Sequence, residues 1–194
     1  MEKVWRQRFS QTEQDKCLQD AVKAKNPALV SLVLEEGNIS ENEAQKHILD
    51  SIITLKSPKI LAMLLDTGAQ ASELHLGVAA SRGNAEMVEI ITRNGVKTLS
   101  RAIIKAVKGN QIGVLEKLME AGGNPKTRGS CSINIAVKKG YVDIVRMLLK
   151  YGENPNNVRP NVIALANSIS LRNPVYKELL EVLKEAGLTI NIEW

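Results

Sequence analysis

The stretch LGVAASRGNAEMVEIITRNG, residues 76–95, decides the fold, and its pattern returns as INIAVKKGYVDIVRMLLKYG at residues 133–152. In both stretches an aliphatic residue and an alanine three positions later precede a glycine turn, an aliphatic pair and a closing glycine. The closing glycine occurs six times, at intervals of 31, 27, 27, 30 and 35 residues, as Gly37, Gly68, Gly95, Gly122, Gly152 and Gly187. Self-similarity at such a period is typical of repeat proteins whose copies stack on one another.

Each copy is predicted to form two helices joined by a turn. In the first copy, Ser10 and Glu13 form a capping box at the start of a helix. Asn26-Pro27 restarts the chain as a second helix, and Gly37 is expected to end it in the left-handed conformation. Equivalent signals follow at Ser40 with Glu43, Ser57-Pro58, Gly83-Asn84, Gly109-Asn110, Gly140-Tyr141 and Asn173-Pro174.

Residues 76–95 and 133–152 resemble ankyrin repeats in their alanine-centred first helix, Gly-polar turn, aliphatic second helix and closing glycine. The resemblance extends over about residues 15–190 and implies an all-α ankyrin-like solenoid of about six helix-turn-helix repeats. We expect one domain over 1–194, with copies ending near 37, 68, 95, 122 and 152. Residues 1–14 are predicted to form an N-terminal extension or cap, and 161–194 a C-terminal capping repeat.

The sequence departs from the ankyrin pattern in two ways. The Thr-Pro-Leu-His opening of typical ankyrin helices is absent, and its nearest remnant is Leu74-His75-Leu76. The spacing in the middle copies is shorter than the usual ~33 residues. The missing residues fall where ankyrin repeats project a β-hairpin, so we expect short or missing fingers. Tetratricopeptide and HEAT arrays are competing folds, but the first wants fixed aromatics that this chain lacks and the second usually has longer units.

Composition and cysteine usage narrow the cellular setting. We expect neither a signal peptide nor a membrane span, because MEKVWRQRFS lacks an apolar core and no apolar run reaches ~20 residues. Cys17 and Cys131 lie in different copies, which predicts two unpaired thiols in a reducing compartment. These features favour a cytoplasmic protein, or one delivered into a host cytoplasm if it is an effector.

Residue patterns for catalysis are missing from the sequence. The two histidines, His47 and His75, have no cysteine or histidine at metal-ligand spacing and are interpreted as partly exposed or capping side chains. No nucleophile elbow or phosphate-binding glycine loop occurs. We therefore expect a non-enzymatic protein without a cofactor or a metal.

The positive charge is concentrated in the fourth and fifth copies. Residues 100–160 hold 11 basic and four acidic side chains, whereas the whole chain has a net charge of +5. In the ankyrin arrangement, first helices line the concave side, and the resemblance implies that the residues two, five and six positions after the opening aliphatic residue face outward. The predicted partner-binding residues are Val78, Arg82, Arg101, Lys105, Lys108, Ile135, Lys138 and Lys139.

The predicted function is protein–protein interaction, as a scaffold, adaptor, inhibitor or effector that binds an acidic protein surface through this basic concave face. Nucleic acid or an anionic lipid is the alternative partner, although no aromatic residues are positioned there to stack on bases. A simpler interpretation is that the lysines only keep the protein soluble, and a third hypothesis is an enzyme whose site the sequence does not reveal. The chain is expected to be a monomer, with Trp5 and Phe9 capping the first copy or anchoring a partner, and Trp194 raising the same question at the other end.

Overall fold

The computed structural model describes residues 9–40, 42, 44, 47 and 57–189, without the side chains of 127–131. In this part of the chain, all regular elements are helical, with eleven α-helices and one short 3-10 helix. The chain divides into two compact units, Met1–Lys97 and Thr98–Trp194. The predicted all-α class is confirmed, and the single domain over 1–194 stays a prediction.

The first unit contains helices from the first three copies. Helix α1 packs against α2, α2 against α3, α3 against α5, and α4 against α5. Their buried faces consist of aliphatic side chains such as Leu18, Leu61 and Leu76, each with no exposed surface. The bounds are α1 Gln11–Lys23, α2 Pro27–Glu36, α3 Pro58–Asp66, α4 Glu73–Ser81 and α5 Ala85–Arg93.

The second unit contains three helix pairs in two layers. The first helices α6, α8 and α10 stack in that order, and α9 contacts both α7 and α11 in the layer of second helices. Within each pair the first helix packs on the second, which buries the aliphatic stripe that neither could bury alone. The bounds are α6 Ser100–Lys108, α7 Ile112–Glu120, α8 Thr127–Lys139, α9 Val142–Lys150, the 3-10 helix Pro155–Asn157, α10 Pro160–Ser170 and α11 Pro174–Glu185.

Most of the predicted helix starts are confirmed by their side-chain caps. Ser10 and Glu13 form the reciprocal capping box before α1, and Asn26 caps α2 with Pro27 in the first turn. The side chains of Ser57, Asn84 and Asn173 accept hydrogen bonds from the first backbone N–H groups of α3, α5 and α11. The predicted capping box of Ser40 and Glu43 lies outside the described residues.

The closing glycines follow the prediction in five copies and contradict it in one. Five have φ between 87° and 99°, where a residue with a Cβ is strained. Gly37 instead has φ −80° and ψ 166°, so its predicted left-handed conformation is wrong. The extended backbone here brings the N–H of Asn38 to the side-chain oxygen of Gln14 at 2.8 Å. A Cβ at Gly37 would collide with the carbonyl oxygen of Val33, so glycine is needed for close approach.

The Gly109-Asn110 turn also differs in detail from its counterpart in the third copy. In Gly83-Asn84 the glycine is left-handed (φ 74°) and the asparagine caps α5. In the fourth copy it is Asn110 that has positive φ, at 54°, and α7 begins after Gln111 without a side-chain cap. Asparagine tolerates the left-handed region better than most residues, so it takes the role of the glycine here.

The predicted trimming of the fingers is confirmed in the middle of the chain. Residues 94–99 join α5 to α6 and residues 121–126 join α7 to α8, and neither connection contains a strand. Each is long enough for a turn and a short extended link only. The exposed faces of the first helices are therefore not accompanied by projecting hairpins at these two positions.

Candidate functional site

Helix α6 has one buried and one basic face. Its buried side comprises Ala102, Ile103, Ala106 and Val107, none more than 1% exposed. Arg101, Lys105 and Lys108 lie at positions i, i+4 and i+7, which places them together on one face of a helix. Arg101 and Lys108 are exposed, and Lys105 is half-buried. The three cations therefore form a stripe opposite the core.

Helix α8 continues this stripe in the same unit. Ile133, Ala136 and Val137 are fully buried, whereas Ile135 is half-buried and Lys138 and Lys139 are exposed. Because α6 and α8 pack directly against each other, the cations of the two helices occupy one surface. We call this surface the basic face and define it by the residues Arg101, Lys105, Lys108, Lys138 and Lys139.

Three of the five cations of the basic face have no counter-charge beside them in the described part of the chain. Within the described part of the chain, the amines of Lys105, Lys108 and Lys138 have no carboxylate within 4.0 Å. The nearby acidic residues of these copies lie elsewhere: Glu120 on α7 pairs with Lys117 at 2.9 Å, and Asp143 is on α9. A cluster of like charges without counter-charges raises the local potential and attracts anions.

A buried asparagine, Asn134, joins helix α8 to the segment that follows α9. Asn134 is 9% exposed; its Nδ2 donates to the carbonyl oxygen of Asn157 at 3.0 Å, and its Oδ1 accepts from the backbone N–H of Arg159 at 2.8 Å. Arg159, which is exposed, adds another cation to this unit. Nothing in the repeat pattern of the sequence marks Asn134 as a residue that joins two elements, so it was not among the predicted residues.

Tyr176 fixes the turn at the end of helix α8. Its hydroxyl donates to the carbonyl oxygen of Lys138 at 2.9 Å, and its ring lies against Gly140, which is left-handed with φ 71°. The amine of Lys139 lies 5.6 Å from the ring centroid of Tyr141, within the range of a cation–π contact. The backbone that carries both lysines is therefore held by α11, a contact between residues 38 positions apart.

Two of the eight predicted residues lie in the first unit. Val78 is on α4 and half-buried, and Arg82 follows that helix and is exposed. The remaining six, which include Ile135, are brought together in the second unit by the contact of α6 with α8. The equivalent surface positions of the second copy and the aromatic residues Trp5 and Trp194 fall outside the described residues, while Phe9 is 37% exposed.

Both histidines are buried, at 7% exposure, so the expectation of partly exposed side chains is wrong. The capping role is confirmed for His75, whose Nδ1 accepts from the backbone N–H of Ser72 at 3.0 Å. Burial lowers the pKa of His75, because the charged form loses its hydration. Among the described residues, no group of three His, Cys, Asp or Glu side chains could hold a metal ion.

Comparisons with known proteins agree with this architecture. Residues 76–159 match the family model described as ankyrin repeats (3 copies). The chain is similar in structure to EF0377, an ankyrin repeat protein, with a TM-score of 0.64 and 20% identity over 87% of this chain and 96% of the other. It is also similar to the ankyrin repeat domain of Bcl-3, described as a unique member of the IkappaB protein family, with a TM-score of 0.65 and 18% identity over 89% of this chain and 86% of that one.

A third similar structure is an ankyrin repeat domain from Acinetobacter baumannii AYE, with a TM-score of 0.59 and 18% identity over 77% of this chain and 83% of the other. No curated protein matches the sequence.

In the described residues, no helix has both the length and the apolar character needed to cross a bilayer. Ankyrin repeats are typically non-enzymatic modules that mediate interactions between proteins. The chain has the ankyrin-repeat fold and carries ankyrin repeats over residues 76–159.

Proposed function

We propose that the chain is a protein-interaction module whose basic face binds an acidic surface of another protein. The observation that supports the proposal is the packing of α6 against α8, the two helices that carry the five cations of the basic face. The short connections beside α6 and α8 favour this helical face over hairpin tips as the contact surface.

The repulsion between the clustered cations is small compared with the attraction that they can exert on a carboxylate of a partner. Neighbouring packed helices lie about 8–10 Å apart, and two unit charges ~10 Å apart in water repel by only about 0.4 kcal/mol. A carboxylate brought between two such lysines is attracted by both and loses less hydration than in a buried pair. Steering by a single-sign patch also raises the association rate at low ionic strength.

A simpler explanation for some of the lysines is helix stabilisation. Lys105 and Lys108 lie in the last turn of α6, and Lys138 and Lys139 in the last turn of α8, where cations stabilise the partial negative charge of the helix end. That role accounts for lysines at each helix separately. Helix stabilisation does not explain why two adjacent helices of one layer both carry lysines. It also does not explain why most of the acidic residues of these copies lie on other elements.

The proposal is tested with two double variants of equal charge. Lys108→Glu with Lys138→Glu reverses two cations of the basic face and lowers the net charge from +5 to +1. Lys150→Glu with Lys177→Glu makes the same change on the exposed sides of α9 and α11. Each protein, with wild type, is used to capture partners from nuclease-treated and untreated cell lysate, and affinities for the captured proteins are then measured with purified components.

We expect the basic-face variant to lose an acidic protein that wild type and the control variant retain. The affinity should fall about tenfold or more between ~20 mM and ~200 mM salt, because the Debye length shrinks to about that of one helix spacing. Retention by both variants, or affinity that does not change with salt, would refute an electrostatic role for this face. Capture that disappears with nuclease would replace the protein partner by nucleic acid.

A further inference from the structure

The three first helices of the second unit are in register at intervals of 30 residues. Ile103, Ile133 and Ile163 are equivalent and buried, as are Ala106, Ala136 and Ala166. The same register makes two rows of surface positions on the opposite side. One row consists of Lys105, Ile135 and Leu165, and the other consists of Lys108, Lys138 and Ser168.

Along these rows the chemistry of the surface changes from basic to apolar. Helix α6 presents lysine in both rows, α8 presents Ile135 and Lys138, and α10 presents Leu165 and Ser168. Leu165 is 40% exposed, and Leu171, the residue directly after α10, is 79% exposed. Because α8 packs against α10, this apolar end directly continues the basic face.

An exposed leucine by itself is ordinary on a protein surface. Here, the exposed Leu165 of α10 lies one helix away from the lysine of α8 that has no carboxylate within 4.0 Å, Lys138. A purely acidic partner would leave this part of the row without a complementary surface. A purely apolar partner would leave the lysines without one.

We propose that the rows bind a segment of a partner protein in which acidic residues are followed by a large apolar side chain. The acidic residues lie over Lys105, Lys108 and Lys138, and the apolar side chain packs on Ile135 and Leu165. This inference rests on the proposed function and specifies the kind of segment that the basic face recognises.

The helix spacing sets the length of the segment. Three helix axes at about 8–10 Å intervals span about 16–20 Å, which an extended chain covers in about six residues at ~3.3 Å each. The apolar side chain should therefore follow the last acidic residue over α8 by about three residues. A spacing much shorter than this would place it over the lysines.

The test uses two fluorescent synthetic peptides that differ at one residue. One carries a run of glutamates followed, after a two-residue spacer, by leucine, and the other has serine in place of that leucine. Fluorescence anisotropy gives their affinities for wild type, Leu165→Ser and Leu29→Ser. Leu29, on α2 of the first unit, is 39% exposed and is the matched control for Leu165. Size-exclusion chromatography of all three proteins reports their oligomeric state.

We expect wild type and Leu29→Ser to bind the leucine peptide about fivefold to tenfold more tightly than the serine peptide. Leu165→Ser should lose most of this preference, because only Ile135 remains to contact the leucine of the peptide. Equal binding of both peptides to wild type would overturn this inference and leave the proposed function intact. Binding of neither peptide would overturn both proposals, and a dimer that Leu165→Ser dissociates would identify the apolar end as a contact between copies of this chain.

Discussion

Replacement of Asn134 by alanine should destabilise the second unit by about 2–3 kcal/mol. The change removes the two hydrogen bonds that join α8 to Asn157 and Arg159, each contributing about 1 kcal/mol. It also leaves a carbonyl oxygen and an N–H group facing a methyl group instead of an amide, and the partly buried position restricts their access to water. That loss accounts for the remainder of the estimate.

Urea denaturation followed by circular dichroism measures this effect. With a slope of about 2 kcal/mol per molar, the urea midpoint should fall by about 1–1.5 M. Asn156→Ala is the control, because Asn156 is exposed but makes three hydrogen bonds, to the carbonyl oxygen of Gly187 and to the backbone N–H and hydroxyl of Thr189. Water can replace those bonds, so the control should lose less than about 1 kcal/mol.

The burial of the hydrogen bonds, and not their number, should determine how much stability is lost. This prediction is refuted if Asn134→Ala unfolds within about 0.2 M urea of wild type, or if Asn156→Ala is the more destabilised of the two. A loss of helix content in native Asn134→Ala would show instead that the substitution disrupts the unit before denaturation, and the midpoint comparison would then be made with Asn134→Ser.

Three further predictions concern single side chains. Gly113→Ala should raise the free energy of unfolding by about 0.5–1 kcal/mol, because a Cβ at this position meets nothing within 4 Å. Gly95→Ala should lower it by about 1 kcal/mol, because Gly95 has a positive φ of 99°. Urea titrations in which both variants change stability in the same direction would contradict this prediction. Tyr176→Phe should cost about 0.5–1 kcal/mol for the lost bond to Lys138, and an unchanged urea midpoint would exclude that role. Burial lowers the pKa of His75 below its usual 6.5, so the contribution of the neutral side chain to stability is complete above pH 6.5 and is lost as the pH falls below that value. The urea midpoint of His75→Gln should therefore fall less than that of wild type between about pH 7.5 and pH 5.5. An identical fall in the two proteins would refute this prediction.

Features that depend on nearby residues could be predicted from the sequence. Asn26, Ser57 and Asn173 cap helices because a side-chain oxygen can reach only the next few N–H groups, so the signal and its effect lie within one turn. The closing glycines follow the same logic. Gly37 is the exception, since its backbone is determined by Gln14, a residue of another helix.

The features that hold the candidate site in place could not be predicted. Asn134 and Tyr176 act on partners 23 to 38 residues away, and the choice of partner depends on how helices stack. The positions of Lys105, Lys108 and Lys138 follow from the helical period and the resemblance, so the exposure of Lys108 and Lys138 was predictable, whereas Lys105 is half-buried. That Leu165 extends their row became visible only with the register of α10 against α8.

The first helices of the second unit recur at a common interval of 30 residues, so they occupy equivalent positions in successive copies. A stretch that carries one first helix, its turn and its second helix keeps both the buried isoleucine and alanine and the two surface positions in phase. Duplication of such a stretch would lengthen the two rows by one position each, provided that contacts between copies, such as that of Tyr176 with the turn at Gly140, are kept. Under the proposed function, specificity would then change by whole helices as well as by single substitutions.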